Sequence, residues 1–119
     1  LLGYFQMNQI DQAINQEQIK NPNEEVVTLE EPIRMGDQMI TQVTIRKPGV
    51  KALSGTSLQA IYQHDVDALC KVLPRVTSPA LTPQQIYQMD PVDFANLGGH
   101  LVTFLYPKAL QKEIKAQTA

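Results

Sequence analysis

The sequence predicts an α+β fold in which an N-terminal β-hairpin is followed by a small, mainly helical bundle. Two observations predict it: apolar residues alternate along 26–46, and from about residue 57 onward they recur at steps of three and four. A chain of 119 residues fits one domain, and we expect 25–106 to be a single α+β domain. Because the chain has no Trp and few other aromatic residues, its core is expected to consist of Leu, Ile, Val and Met.

The predicted domain has a segment on either side of it. Residues 1–6 resemble the end of a protease-cleavage linker, so we interpret them as an expression-tag remnant and Met7 as the natural start. Residues 7–24 form a Gln-rich N-terminal arm whose few apolar residues have the spacing of a short helix. Residues 107–119 are expected to form a Lys-rich C-terminal tail or helix.

The hairpin is predicted from two alternating runs on either side of Gly36-Asp37. A two-residue loop would put the apolar residues of the first run and those of the second run on opposite faces of the hairpin. A three-residue loop pairs Met35 with Met39 and puts the apolar residues of both runs on one face. Burial therefore favours the odd-length loop or a compensating bulge. Pro32 has no N–H to donate, so the first strand is predicted to be an edge strand at that point.

The first helix is predicted over about 57–73. Thr56 and Gln59 form a capping-box pattern before an apolar stripe with three- and four-residue steps. Pro74 is expected to end or kink this helix.

Two further helices are predicted over about 83–89 and 91–105. Thr82 is expected to cap the first of them, with Pro and Gln in the positions that favour a helix start, and Asp90 to cap the second. The pair Gly98-Gly99 costs about 1 kcal/mol per glycine in a helix interior, which predicts a close helix–helix approach or a kink.

The side chains that could carry chemistry have simpler structural interpretations. Cys70 would need a nearby base to act as a nucleophile, and His64 or His100 could supply one only through the tertiary fold. A free cysteine is more often a small buried hydrophobe. The acidic pairs Asp65/Asp67 and Asp90/Asp93 do not face each other as an acid–base pair would, and the second pair is explained by helix capping. We predict no catalytic residue, no metal site and no cofactor, since no nucleotide-binding, hydrolase or metal motif is present.

Composition excludes further classes of function. The formal net charge of −2 argues against a nucleic-acid partner, and no apolar run is long enough to cross a membrane. At this size the core is small, so self-association into a homo-oligomer is an expected supplement to stability.

The hairpin has a family resemblance. The stretches VVTLEEPI at 26–33 and VTIRKP at 43–48, with Gly36-Asp37 between them, resemble the V-T-L-x-x-P-I … D-G … L-T-L-R-x-P hairpin of the small tail assembly chaperones of contractile-tailed phages. That family includes the E-type and Mu-type tail proteins. The stretch from residues 86–94 to Phe104 and Leu105 is similar to the closing helix of that family. The resemblance covers about 25–105, and it departs from the family in the Gly-Asp order and in the Gln-rich arm.

The resemblance implies a non-enzymatic protein of the host cytoplasm that coats the tape-measure protein before the tail tube polymerises, and that is absent from the finished virion. Its relatives often also make a longer, frameshifted product. Such a protein needs an exposed apolar surface. We expect that surface at Phe94, Leu97, Leu101, Phe104, Leu105, Leu110 and Ile114. The same periodicity is equally typical of core residues. Two other hypotheses remain: a permanent structural subunit of the tail, and, last, a small enzyme that uses Cys70.

Overall fold

Residues 21–118 are described by a computed structural model, in which an antiparallel three-stranded sheet is followed and covered by helices. The predicted α+β class is confirmed. Residues 1–20, which include the predicted tag remnant and most of the predicted Gln-rich arm with its helix, lie outside the described residues. The strands are β1 (Glu24–Met35), β2 (Gln38–Arg46) and β3 (Thr77–Ser78), in the order β1-β2-β3. The helices are a 3-10 turn (Val50–Leu53), α1 (Leu58–Tyr62), α2 (Val66–Val76), α3 (Pro83–Gln88), α4 (Pro91–Phe104) and α5 (Lys108–Thr118).

The hairpin closes through a two-residue loop. Met35 pairs with Gln38, so the predicted three-residue loop that would pair Met35 with Met39 is wrong. Gly36 has a φ of +64°, which glycine adopts without strain. A glycine at the first central position allows a tight turn whose twist matches that of the strands, which is why the shorter loop forms.

A bulge in β1 corrects the register, as the alternative prediction requires. Thr28 pairs with Gln42, but Ile33 pairs with Ile40, so residues 29–32 of β1 lie opposite the single β2 residue between those partners. Because this displacement is odd, the buried apolar side chains of both strands share one face of the sheet. The compensating bulge is therefore confirmed.

A carboxylate on α4 holds this bulge in place. Asp93 Oδ1 accepts a hydrogen bond from the backbone N–H of Glu30 at 2.7 Å, and its Oδ2 accepts one from the N–H of Glu31 at 3.1 Å. Asp93 is 0% exposed. The sequence alone explains Asp93 only by helix capping. In the fold it also satisfies two bulge N–H groups and joins β1 to α4.

The single helix predicted over 57–73 is wrong, because the chain forms α1 and α2 with a break between them. His64 has a left-handed φ of +58°, which a continuous helix excludes. Asp65 then starts α2 by accepting a hydrogen bond from the N–H of Ala68 at 3.0 Å. The Asp side chain satisfies an N–H that a helix start leaves without a partner, so the restart is locally stabilised.

The cap of α1 also differs from the prediction. Ser57 Oγ accepts a hydrogen bond from the N–H of Ala60, whereas the Thr56 hydroxyl donates to the carbonyl of Leu53. Thr56 therefore closes the 3-10 turn and its neighbour caps the helix.

The end of α2 lies beyond Pro74, and a short strand that was not predicted follows it. Pro74 removes only its own N–H bond, so α2 continues to Val76 before β3 pairs with β2. Thr77 is buried at this junction; its hydroxyl donates to the carbonyl of Leu73 and accepts from the N–H of Leu81. These bonds fix the path from α2 toward α3.

The caps predicted for α3 and α4 are present. Thr82 Oγ1 accepts from the N–H of Gln85 at 3.1 Å, and Gln85 Oε1 accepts from the N–H of Thr82 at 2.9 Å, which completes a capping box. Asp90 Oδ1 accepts from the N–H of Val92 at 2.8 Å.

The core lies between the sheet and the helices α2 and α4. Its completely buried apolar side chains come from both halves of the fold: Val43, Ile45, Ile61, Val72, Leu73, Leu97 and Leu101. None of the helices described between residues 21 and 118 has the length and hydropathy needed to cross a bilayer.

Candidate protein-binding groove

An apolar groove of about 410 Å³ opens between α2, α3 and α4. Its lining is mainly apolar and includes six side chains of this kind: Val66, Leu69, Cys70, Ile86, Met89 and Phe94. His64 and Tyr87 also line it. A concave surface that is mainly apolar fits an apolar partner better than a polar substrate.

The local sequence explains why the helices meet here. Asp65 and Asp90 cap α2 and α4, so both helices begin beside the groove, at Val66 and Pro91. The predicted close approach is confirmed at Gly98, where a Cβ atom would lie 2.9 Å from Leu69 Cδ1. No such contact exists at the neighbouring Gly99. The missing side chain of Gly98 lets α2 and α4 approach at the base of the groove.

The rim of the groove carries apolar side chains in solvent. Val66 is 59% exposed and Tyr87 is 68% exposed, although both line the groove. Phe94 also lines the groove and is half-buried. The apolar surface therefore extends outward over the rim and is larger than the concavity itself.

Cys70 lies in the wall of the groove in an environment that opposes nucleophilic chemistry. The side chain is 6% exposed. Burial, and secondly the negative charge of Asp67, raises the pKa of the Cys70 thiol. A thiol acts as a nucleophile through its thiolate, so a raised pKa lowers its reactivity at neutral pH. Among residues 21–118, no group of three or more His, Cys, Asp or Glu side chains is arranged to hold a metal ion.

The structure separates the seven predicted partner-binding residues into three groups. Phe94 lines the groove. Leu97, Leu101 and Phe104 are buried in the core, with Leu105 packed against it. The last two lie on α5, where Leu110 is 39% exposed and Ile114 is half-buried.

Several residues that line the groove are not among the seven predicted partner-binding residues. Leu69 belongs to the stripe predicted for the first long helix, and Ile86 and Tyr87 belong to α3. Each of these residues has an ordinary helical spacing. Only the packing of three helices identifies which of them border the same opening.

Comparisons with known proteins identify the family. The family described as phage tail assembly chaperone proteins, E, or 41 or 14, matches residues 26–106. Tail assembly protein E of Escherichia phage P2 is 46% identical over 88 residues, which are 74% of this chain and 97% of that protein. Tail assembly protein E′ of the same phage is 46% identical over 82 residues, which are 69% of this chain and 58% of that protein. No solved structure matches the chain significantly.

The matched region contains all of the hairpin except its first two residues, together with the bulge and all the residues that line the groove. The family resemblance drawn from the hairpin and the closing helix is therefore confirmed, and the chain belongs to the family of phage tail assembly chaperone proteins.

Proposed function

We propose that this chaperone binds the tape-measure protein of its phage while the tail is assembled. The observation that carries the proposal is the apolar groove, which is open to solvent in a member of a tail assembly chaperone family. A long helical client presents repeated apolar faces that must be kept from aggregating until the tube surrounds it. Binding such a face requires an accessible apolar surface and no reaction centre.

The client contacts the groove first at its rim. Val66 and Tyr87 are more exposed than the half-buried Phe94, so they meet a docking client before the more buried residues do. Leu97 and Leu101 act from below, since they are buried in the core and hold α4 in position. Leu110 and Ile114 on α5 extend the apolar contact beyond the groove.

The chaperone acts in the host cytoplasm and leaves the client before the virion is complete. Mass spectrometry of purified virions tests this statement, because a chaperone is absent from them and a permanent tail subunit is present in many copies. Self-association of the free chaperone, expected from its small core, stays a prediction.

Two exposed valines provide a matched test of the groove. Val66 is 59% and Val92 is 55% exposed, and both lie in the first turn of a helix, but only Val66 lines the groove. The chaperone is co-expressed with the tape-measure protein, and the complex is purified through the tape measure. Val66→Lys is expected to reduce the co-purified chaperone by about tenfold, because it places a charge at an apolar contact.

Val92→Lys is expected to co-purify like the wild type. Equal melting temperatures of the two variants show that each is folded. If both variants co-purify at the wild-type level, or if the wild type forms no complex with the tape measure, the proposal is wrong.

A further inference from the structure

The first half of β1 has backbone groups that point away from the sheet. The sheet order is β1-β2-β3, so no strand described between residues 21 and 118 lies beyond β1. The N–H of Lys47 donates to the carbonyl of Asn23, directly opposite it, at 2.7 Å. Hydrogen-bonded pairs of an antiparallel ladder recur at every second residue, and the residues between them direct their backbone groups outward. The outward residues are Glu24, Val26 and Thr28.

The second half of β1 is covered by side chains of α3 and α4. Asp93 accepts hydrogen bonds from two N–H groups of the bulge. Gln85 Nε2 donates to the carbonyl of Arg34 at 3.2 Å. Pro32, between these contacts, has no N–H to offer. The part of β1 that is left uncovered is therefore the stretch 24–28, which we call the open edge.

The other side of the sheet is less suited to a further strand. There β3 already pairs with β2 at Thr44 and Ile45. The rest of β2 crosses the register change opposite the bulge. Its outward backbone groups are therefore not spaced at every second residue, as a regular partner strand requires.

We propose that the open edge pairs with the open edge of a second copy as antiparallel strands, about a two-fold axis at Val26. The N–H and carbonyl of Val26 then exchange hydrogen bonds with the same groups of the second copy. On either side of the axis, the N–H of Thr28 donates to the carbonyl of Glu24 of the other copy. The N–H of Glu24 is not needed, because it already donates to the carbonyl of Asn21 at 3.1 Å.

The side chains of the open edge are complementary to themselves in this register. Val26 is 52% exposed and lies opposite its own copy, so two apolar side chains meet at the axis. Glu24 lies opposite Thr28, and no like charges face each other. If the axis moves by one residue, either Glu25 lies opposite Glu25 or Glu24 lies opposite Glu30. Like charges directly opposite each other destabilise a strand pair, so both shifts are disfavoured.

This interface is separate from the proposed client site. None of the residues of the open edge lines the groove. The inference therefore does not depend on tape-measure binding, and either proposal can fail while the other holds. Because each copy contributes only a short stretch of strand, the contact area is small and the dimer is expected to dissociate on dilution. Sedimentation velocity of the full chain over a concentration series measures its dissociation constant.

Two lysine substitutions on one face of the sheet provide a matched test. Gln42 is exposed and pairs with Thr28, so its side chain lies on the same face as that of Val26, but on β2 and away from the open edge. Val26→Lys is expected to raise the dissociation constant at least about tenfold, since two like charges then meet at the axis. Gln42→Lys adds the same charge and is expected to dimerise like the wild type. Equal melting temperatures at a concentration where all three proteins are monomeric show that the variants are folded.

A charge swap tests whether Val26 faces its own copy. Val26→Glu is expected to weaken the dimer as Val26→Lys does. An equimolar mixture of these two variants is expected to recover the wild-type dissociation constant to within about threefold, because a lysine then lies opposite a glutamate. A mixture that dimerises no better than either variant alone overturns the proposed axis.

Amide hydrogen exchange reports on the backbone bonds of the interface. The N–H groups of Val26 and Thr28 are expected to exchange more slowly as the protein concentration rises, because they become bonded in the dimer. The N–H of Gln42 points to the other side of β2 and is expected to exchange at a constant rate. Exchange at Val26 and Thr28 that does not depend on concentration, in samples that contain dimer, places the interface elsewhere and contradicts the inference.

The remaining outcomes are also decisive. A wild type that is monomeric even at about 1 mM, where a complex of millimolar affinity is well populated, overturns the inference. If Gln42→Lys weakens the dimer as much as Val26→Lys, the copies meet through the face of the sheet and not through its edge. If the dimer is dissociated by Val66→Lys but not by Val26→Lys, the second copy occupies the groove. In each of these cases pairing through the open edge is wrong.

Discussion

Cys70 illustrates how one residue acquires its properties from its surroundings. Its thiol lies in an apolar wall of the groove, and its pKa is raised first by burial and then by the charge of Asp67. Both effects disfavour the thiolate. A cysteine in this environment contributes packing to the groove and little reactivity.

The raised pKa predicts a specific loss of stability in alkaline solution. Above pH 9.0, the usual pKa of the thiol, the unfolded chain loses its proton while the folded chain retains it. The folded state then binds more protons, so the free energy of unfolding falls as pH rises beyond that value. Urea denaturation between pH 7 and pH 10 measures this fall, and Cys70→Ser is expected to reduce it. Equal pH profiles for the wild type and the variant would contradict the assignment.

At the scale of the element, α4 carries two adjacent glycines with different roles. Gly98 faces Leu69 of α2 at the base of the groove, whereas Gly99 has open space where a Cβ would lie. One glycine permits the contact between two helices, and the other only lowers helix propensity. The sequence presents the two as equivalent, because propensity and periodicity do not distinguish neighbouring positions that face different ways.

Alanine substitutions are expected to separate these roles. Gly99→Ala should stabilise the protein by about 0.5–1 kcal/mol, because it reduces the entropy of the unfolded chain without a clash. The free energy of unfolding of Gly98→Ala should be lower than that of Gly99→Ala by about 1 kcal/mol or more, since the new Cβ would force the Leu69 side chain to move. Thermal unfolding of both variants measures the difference. Equal stabilisation by the two alanines would mean that Leu69 moves freely and that Gly98 is not needed for the helix approach.

At the scale of the whole molecule, Asp93 connects the sheet to the helices. It lies in the first turn of α4 and accepts hydrogen bonds from two N–H groups of the β1 bulge. The same bulge brings the apolar residues of both hairpin strands onto the face that α4 covers. Register, bulge and helix position therefore depend on one another.

Replacement of this carboxylate is expected to destabilise the entire fold. Asp93→Ala removes two charge-assisted hydrogen bonds and leaves the N–H groups of Glu30 and Glu31 without their acceptor, which should cost about 3 kcal/mol. Asp90→Asn, on the same helix, retains its cap and should change stability by less than about 0.5 kcal/mol. Guanidinium denaturation compares the two. A loss for Asp93→Ala as small as that for the control would show that the bulge is held by other contacts.

The sequence by itself determined the α+β class, the hairpin, the caps at Thr82 and Asp90, and the family. These features depend on residues close together in the chain: alternation, turn glycines and side chains that bond their own backbone. The break at His64 was missed, although Asp65 carries a local capping signal, because the apolar stripe continues through the break.

Only the tertiary structure decided which apolar residues are core and which are surface. Leu97 and Phe94 share one helical stripe, yet one is buried beneath the sheet and the other lines an open groove. It also decided the two-residue loop with its bulge, because Asp93, more than sixty positions away along the chain, supplies the acceptor that the bulge requires. Periodicity predicts that one face of a helix or strand is apolar. Whether that face is covered, and by which residues, depends on tertiary packing against residues distant in sequence.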